Sequence, residues 1–140
     1  MSQIWFHNEE TPFNLKGKNQ VKRWLKKVAE EEQRKIGTLN IIFCSDHYLL
    51  ETNKNFLNHD YYTDIITFDH SEQNDELSGD LFISTDRIME FSKTHNIEFV
   101  DELHRVIVHG VLHLAGHNDK TDGQKTEMRK LENHYLALRF

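Results

Sequence analysis

Apolar residues fall at two spacings along this chain. Val21, Trp24, Leu25 and Val28 recur every three or four residues and predict an amphipathic helix over about Lys18–Lys35, with Gly37 placed to end it. Thr38–Cys44 alternates, with Leu39, Ile41 and Phe43 on one side, and predicts a strand. Ile4-Trp5-Phe6, Thr63–Phe68 (TDIITF) and Asp80–Ser84 (DLFIS) are β-branched, aromatic or apolar, and predict three more. Further helices are predicted over about His47–Leu57 behind Asp46 as N-cap, from Ser84 or Thr85 to about Lys93, over about Phe99–Ala115 with Gly116 as stop, and over about Gly123–Leu138. The order β α β α β β α α α predicts an α+β fold: a small mixed four-stranded sheet packed with about five helices. The chain has 140 residues, one proline (Pro12) and no repeat or linker, so one domain over residues 1–140 is expected.

Composition narrows the class. Charged residues make up 29% of the chain, but nine Phe, four Tyr and two Trp supply core-forming bulk and argue against disorder. Cys44 is the lone cysteine, which excludes an intrachain disulfide and a cysteine metal cluster. The opening MSQIWFHNEE lacks a basic segment followed by an apolar run, and no stretch approaches 18 apolar residues. A cytoplasmic protein without membrane contact is therefore expected. The net charge of −6 counts against a coating protein for nucleic acid, but not against an enzyme whose metal meets the phosphate. Lys16, Lys18, Lys22, Arg23, Lys26 and Lys27 concentrate positive charge that reads first as the solvated face of the first helix and second as a surface for RNA phosphates.

The chemistry concentrates in HGVLHLAGHND, residues 109–119. His109 and His113 are four residues apart in a helical pattern, and four residues turn a helix by about 400°, so both rings leave one face. Gly116 can take a left-handed conformation and return the chain beneath them. A third ligand then comes from Asp119, at the tenth step from His109, or from His117. The register of zinc helices ending H-x-x-G-x-x-ligand favours Asp119, while imidazole chemistry favours His117. Three protein ligands leave a fourth position open for catalysis. Zinc is the expected ion; two His and one Asp also suit iron, manganese or nickel. The residue after His109 is Gly110, where zinc peptidases carry their glutamate base, which argues against peptide hydrolysis.

This motif, preceded by TDIITF and SGDLFIS, resembles the YbeY family of bacterial rRNA maturation factors over about Leu39–Leu136. The resemblance implies an α+β fold and a metal-dependent, single-strand-specific endoribonuclease of rRNA maturation and ribosome quality control. Its implied partners are RNA rather than DNA and the small ribosomal subunit. His109 and His113 match the family's first two ligands. At the tenth step, where the family carries His, this chain has Asp119; where it commonly carries Tyr, this chain has His117. The family's arginine, in an N-x-x-Y-R-like stretch, falls on Leu57 of Asn53-Lys54-Asn55-Phe56-Leu57. Leucine cannot clamp a phosphate as a guanidinium does, so Lys54, Arg87 and Arg105 are the candidate substitutes. Thr63 and Asp64 match the family's TD pair or form a turn that starts a strand, and Gly79 and Asp80 shape a hairpin or, as the resemblance implies, border the family's cleft.

The metal would polarise a phosphoryl oxygen or acidify a water, and a carboxylate ligand would make it a weaker Lewis acid. No base is assigned. Glu102, seven residues before His109, shares its helix face and is a candidate partner for a histidine ring. His104 falls off that face and reads as structural or exposed. His7, His47, His59, His70, His95 and His134 lack partner spacing. Two other functions stay open: a metallohydrolase with another substrate, and a non-enzymatic ribosome-assembly factor stapled by its metal.

Overall fold

The computed structural model describes residues 3–59 and 62–140. The elements are β1 (Gln3–Glu9), α1 (Lys18–Glu31), β2 (Lys35–Cys44), α2 (Asp46–Leu57), β3 (Ile65–Asp69), β4 (Glu76–Ser84), α3 (Thr85–His95), α4 (Phe99–Leu114) and α5 (Asp122–Ala137). This is the expected order, and the fold is α+β. The sheet runs β1-β2-β4-β3, with β1, β2 and β4 parallel and β3 antiparallel to β4.

Alternation along β2 sends Leu39, Ile41 and Phe43 to one face, where they meet Leu81 and Ile83 of β4. The α1 stripe Val21, Trp24, Leu25 and Val28 closes over that layer with α4 and α5. Leu49 of α2 packs with Ile66, Tyr48, Phe68 and Phe82 in a smaller second cluster. Helix α4 is the central helix: Leu103, Val106, Ile107, Val108, Val111, Leu112 and Leu114 are buried, while Arg105, His109 and His113 lie half-buried. It lies close against the sheet at Gly110, where an added Cβ would stand 2.7 Å from Ile65 Cδ1 and 3.0 Å from Leu81 Cδ2. That contact explains a small residue between the two metal-motif histidines.

Several expected boundaries move. Helix α1 ends at Glu31, not Lys35, because Gln33 adopts φ 60° and the turn closes with Arg34 N–H to Ala29 O and Gln33 N–H to Glu30 O. Gly37 therefore ends no helix. It sits in β2 beside a register shift between Ile36 and Leu39, where a Cβ would lie 2.1 Å from Glu76 Oε1. The N-cap of α2 is Ser45, whose hydroxyl accepts from Tyr48 N–H at 3.0 Å; Asp46 is turned to Arg87 instead. Strand β4 starts at Glu76, so Gly79 and Asp80 lie within it rather than in a hairpin turn. At Gly79 a Cβ would meet Phe68 O at 2.3 Å. Among the described residues, no helix is long and apolar enough to cross a membrane.

Candidate metal centre

Helix α4 ends in a Schellman turn: His117 N–H reaches Leu112 O, Gly116 N–H reaches His113 O, and Gly116 holds φ 101°. This turn carries the chain back under the helix face that bears His109 and His113. Asp119 Oδ2 arrives 3.2 Å from His109 Nε2 and 3.3 Å from His113 Nε2, and the two nitrogens are 3.0 Å apart. Among the described residues, these three form the one cluster of donors able to hold a metal ion. Ligand bonds of about 2.0–2.1 Å at tetrahedral angles place donor atoms roughly 3.3 Å apart, so the spacing matches a closed set of three around one ion. The residues present therefore fit a divalent transition metal.

His117 does not join them. Its Nε2 stands 2.5 Å from Glu32 Oε1, at the end of α1, and the other Glu32 oxygen accepts from Tyr135 O–H. His117 thus pins the loop that delivers Asp119.

The ring of His109 is held by a residue the sequence did not point to. Glu132 of α5, 5% exposed, accepts from His109 Nδ1–H at 2.7 Å and from Arg105 Nη1 at 3.0 Å. A carboxylate can only accept, so the Nδ1 proton is fixed and the Nε2 lone pair faces Asp119 and His113. Burial alone disfavours charge on His109, but the Glu132 carboxylate outweighs it and raises the ring's pKa. Burial likewise opposes charge on Glu132, yet bonds from His109 and Arg105 bring its pKa below the usual range. The signal for Glu132 was its place in the buried row Met128, Glu132, Tyr135 of α5, an acid at a core position.

The other candidates lie as follows. Glu102 is buried on α4 and pairs with Arg105 Nε at 3.7 Å, and the ring-holding place expected of it belongs to Glu132. Arg105 faces Glu132 and Glu102 and is three-quarters enclosed, so it is committed to the site's own carboxylates. Lys54 pairs with Glu51 at 3.7 Å on α2, and Leu57 is that helix's last residue. Arg87 of α3 bonds Asp46 through Nε at 3.0 Å and spreads over the Tyr62 ring at 4.6 Å. Asp64 keeps an open face to solvent, while the surrounding cleft raises its pKa against the opposing pull of His109. His104 is buried against Trp24 and Phe140.

The family model described as Endoribonuclease YbeY matches residues 3–138. This chain belongs to the YbeY family. A YbeY relative from Cytophaga hutchinsonii, named Endoribonuclease YbeY, is 48% identical over 136 residues, 97% of this chain and 95% of that protein. One from Bacteroides thetaiotaomicron with the same name is 50% identical over 122 residues, 87% of this chain and 88% of its own. Among solved structures, the solution structure of TM1509 from Thermotoga maritima superposes with a TM-score of 0.65 at 26% identity, covering 94% of this chain and 86% of that one.

Proposed function

We propose that residues 1–140 form one metal-dependent endoribonuclease domain that cuts single-stranded RNA in rRNA maturation and ribosome quality control. The observation that carries this reading is the convergence of His109 Nε2, His113 Nε2 and Asp119 Oδ2 within 3.3 Å in a chain of the YbeY family. The proposed ion is zinc, because two imidazoles and a carboxylate at this spacing suit it, and one ion per chain is expected. The proposed partners are rRNA and the small ribosomal subunit, and the proposed compartment is the cytoplasm. When bound, the ion supplies Lewis-acid polarisation of the phosphoryl group and acidification of water.

The chain's own residues do the rest. Glu132 fixes the tautomer and angle of His109. Arg105 offsets the Glu132 charge. Asp64, open to solvent beside Ile65, which lies against Gly110 of the metal motif, is the proposed side chain to exchange a proton with the 2′-hydroxyl or with water. Gly110 leaves no glutamate after His109, in line with a phosphodiester rather than a peptide substrate.

The test is cleavage of labelled single-stranded RNA by chelator-treated protein with and without added zinc. Cutting that returns with zinc and is lost in Asp64→Asn, with fold and zinc content retained, supports the reading. Zinc-loaded wild type that leaves all RNA intact overturns it and favours a non-enzymatic assembly factor.

A further inference from the structure

A cavity of about 250 Å³ opens between α3 and the start of α4. Its walls are Ile88, Phe91, Thr94 and His95 with Asp64, Arg87, Glu90 and Glu102. Asp64 precedes Ile65, which lies against Gly110, the residue after His109, and so joins the cavity to the turn of α4 that carries the centre. The volume is below the roughly 300–1,000 Å³ of pockets for drug-sized ligands, and suits one nucleobase.

The chemistry of the walls selects among parts of an RNA strand. Three carboxylates face one guanidinium, and Arg87 already bonds Asp46, so a phosphate is repelled. The apolar side is Ile88 and Phe91, the latter stacked on His95 at 3.9 Å and partly exposed. An apolar wall with acceptors at one end fits a flat base that carries N–H donors. Glu102 is the informative acceptor. It is 7% exposed, and the guanidinium of Arg105 stands 3.7 Å away through Nε, beyond hydrogen-bond length. Burial pushes its carboxyl above the usual range, a cost that incoming N–H donors would relieve.

We propose that this cavity is a nucleobase subsite that selects guanine, with the two oxygens of Glu102 accepting N1–H and N2–H and Phe91 lying along the ring. Among the four bases, guanine alone presents two adjacent donors to one carboxylate. The inference rests on the endoribonuclease reading and adds a base preference to it.

The test uses the full-length, zinc-loaded protein on labelled oligouridine RNAs with one central guanosine, adenosine or cytidine. Cutting beside guanosine is expected to be at least about tenfold faster than beside the other bases, as one bidentate base contact allows. Glu102→Gln, whose amide offers one donor and one acceptor, is expected to bring that ratio below about threefold. Phe91→Ala, at a partly exposed position, is expected to lower it too and keeps the test decisive if Glu102→Gln fails to fold. A readout without turnover is the amide NMR shifts on adding guanosine or uridine: guanosine is expected to move signals of α3 and of Glu102, and uridine to leave them in place. Zinc-dependent cutting with equal rates beside all bases overturns the subsite and leaves the endoribonuclease reading intact. A guanine preference that survives both variants also overturns it. Absence of any cutting fails both readings together.

Discussion

His109 and Glu132 show how one carboxylate can set the chemistry of a ligand it does not share. With Nδ1–H donated to Glu132 at 2.7 Å, the Nε2 lone pair is the only one the ring can offer a metal. Glu132→Gln keeps the shape but loses the charge, and is expected to weaken zinc binding by about 10–100-fold in competition with a chelator at fixed pH. An unchanged affinity would remove Glu132 from that role. His104 supplies a second test at this scale. Burial, then Arg139, pushes its ring down to about 4, so the folded protein holds it neutral. An unfolded histidine titrates near 6.5, so between these values the unfolded chain binds more protons. The contribution is complete above about 6.5 and is lost as pH falls towards 4, by up to roughly 3 kcal/mol. Its Nε2 has no hydrogen-bond partner, so His104→Phe adds no orphaned group there. That variant is expected to flatten the fall in stability on acidification, measured by urea unfolding at pH 7 and pH 5; an unaltered profile would assign the acid sensitivity elsewhere.

At the scale of elements, the centre depends on how α4 stops. Gly116 at φ 101° turns the chain so that Asp119 returns beneath the two rings, and His117 on Glu32 holds the return. Gly116→Ala places a Cβ in a conformation L-residues resist, and is expected to cost about 1–2 kcal/mol by thermal unfolding and to weaken zinc binding as Asp119 is displaced. Equal zinc affinity in that variant would separate the turn from ligand delivery. Much of this was legible in the chain: the i, i+4 histidines, the glycine stop and the tenth-step acid are local, and local spacing is what sequence reports. The buried stripe Val21, Trp24, Leu25 and Val28 was legible for the same reason. Long-range contacts were not. Glu132 lies 23 residues from His109, and only the packing of α5 on α4 joins them. Gly37 and Gly79 read as stops or turns because glycine marks both those and strand positions of close approach; the neighbouring strands decide which. The end of α1 was hidden because Gln33, a residue with little left-handed preference, takes the place a glycine usually holds.

At the scale of the molecule, three separate elements meet at the candidate metal centre: α4 brings two of the donor residues, the loop before α5 brings the third, and α5 brings the carboxylate behind them. An ion there ties the last two helices together, so binding energy becomes folding energy. Zinc at about 100 times its dissociation constant adds about 2.7 kcal/mol, which for a chain of this size raises Tm by roughly 5–10 °C. Calorimetry with zinc and with chelator measures this, and coincident transitions would count against a folded-state site. Acidification is expected to release the ion, because a proton competes for the His109 ring whose pKa Glu132 has raised.

The most direct measurement is metal content by mass spectrometry on freshly purified wild type, Asp119→Ala and His117→Ala. The expected result is about one zinc per chain in wild type, retained in His117→Ala and lost in Asp119→Ala, as the donor set of three requires. Zinc lost in His117→Ala but kept in Asp119→Ala, or wild type that stays empty after incubation with zinc, would contradict the account.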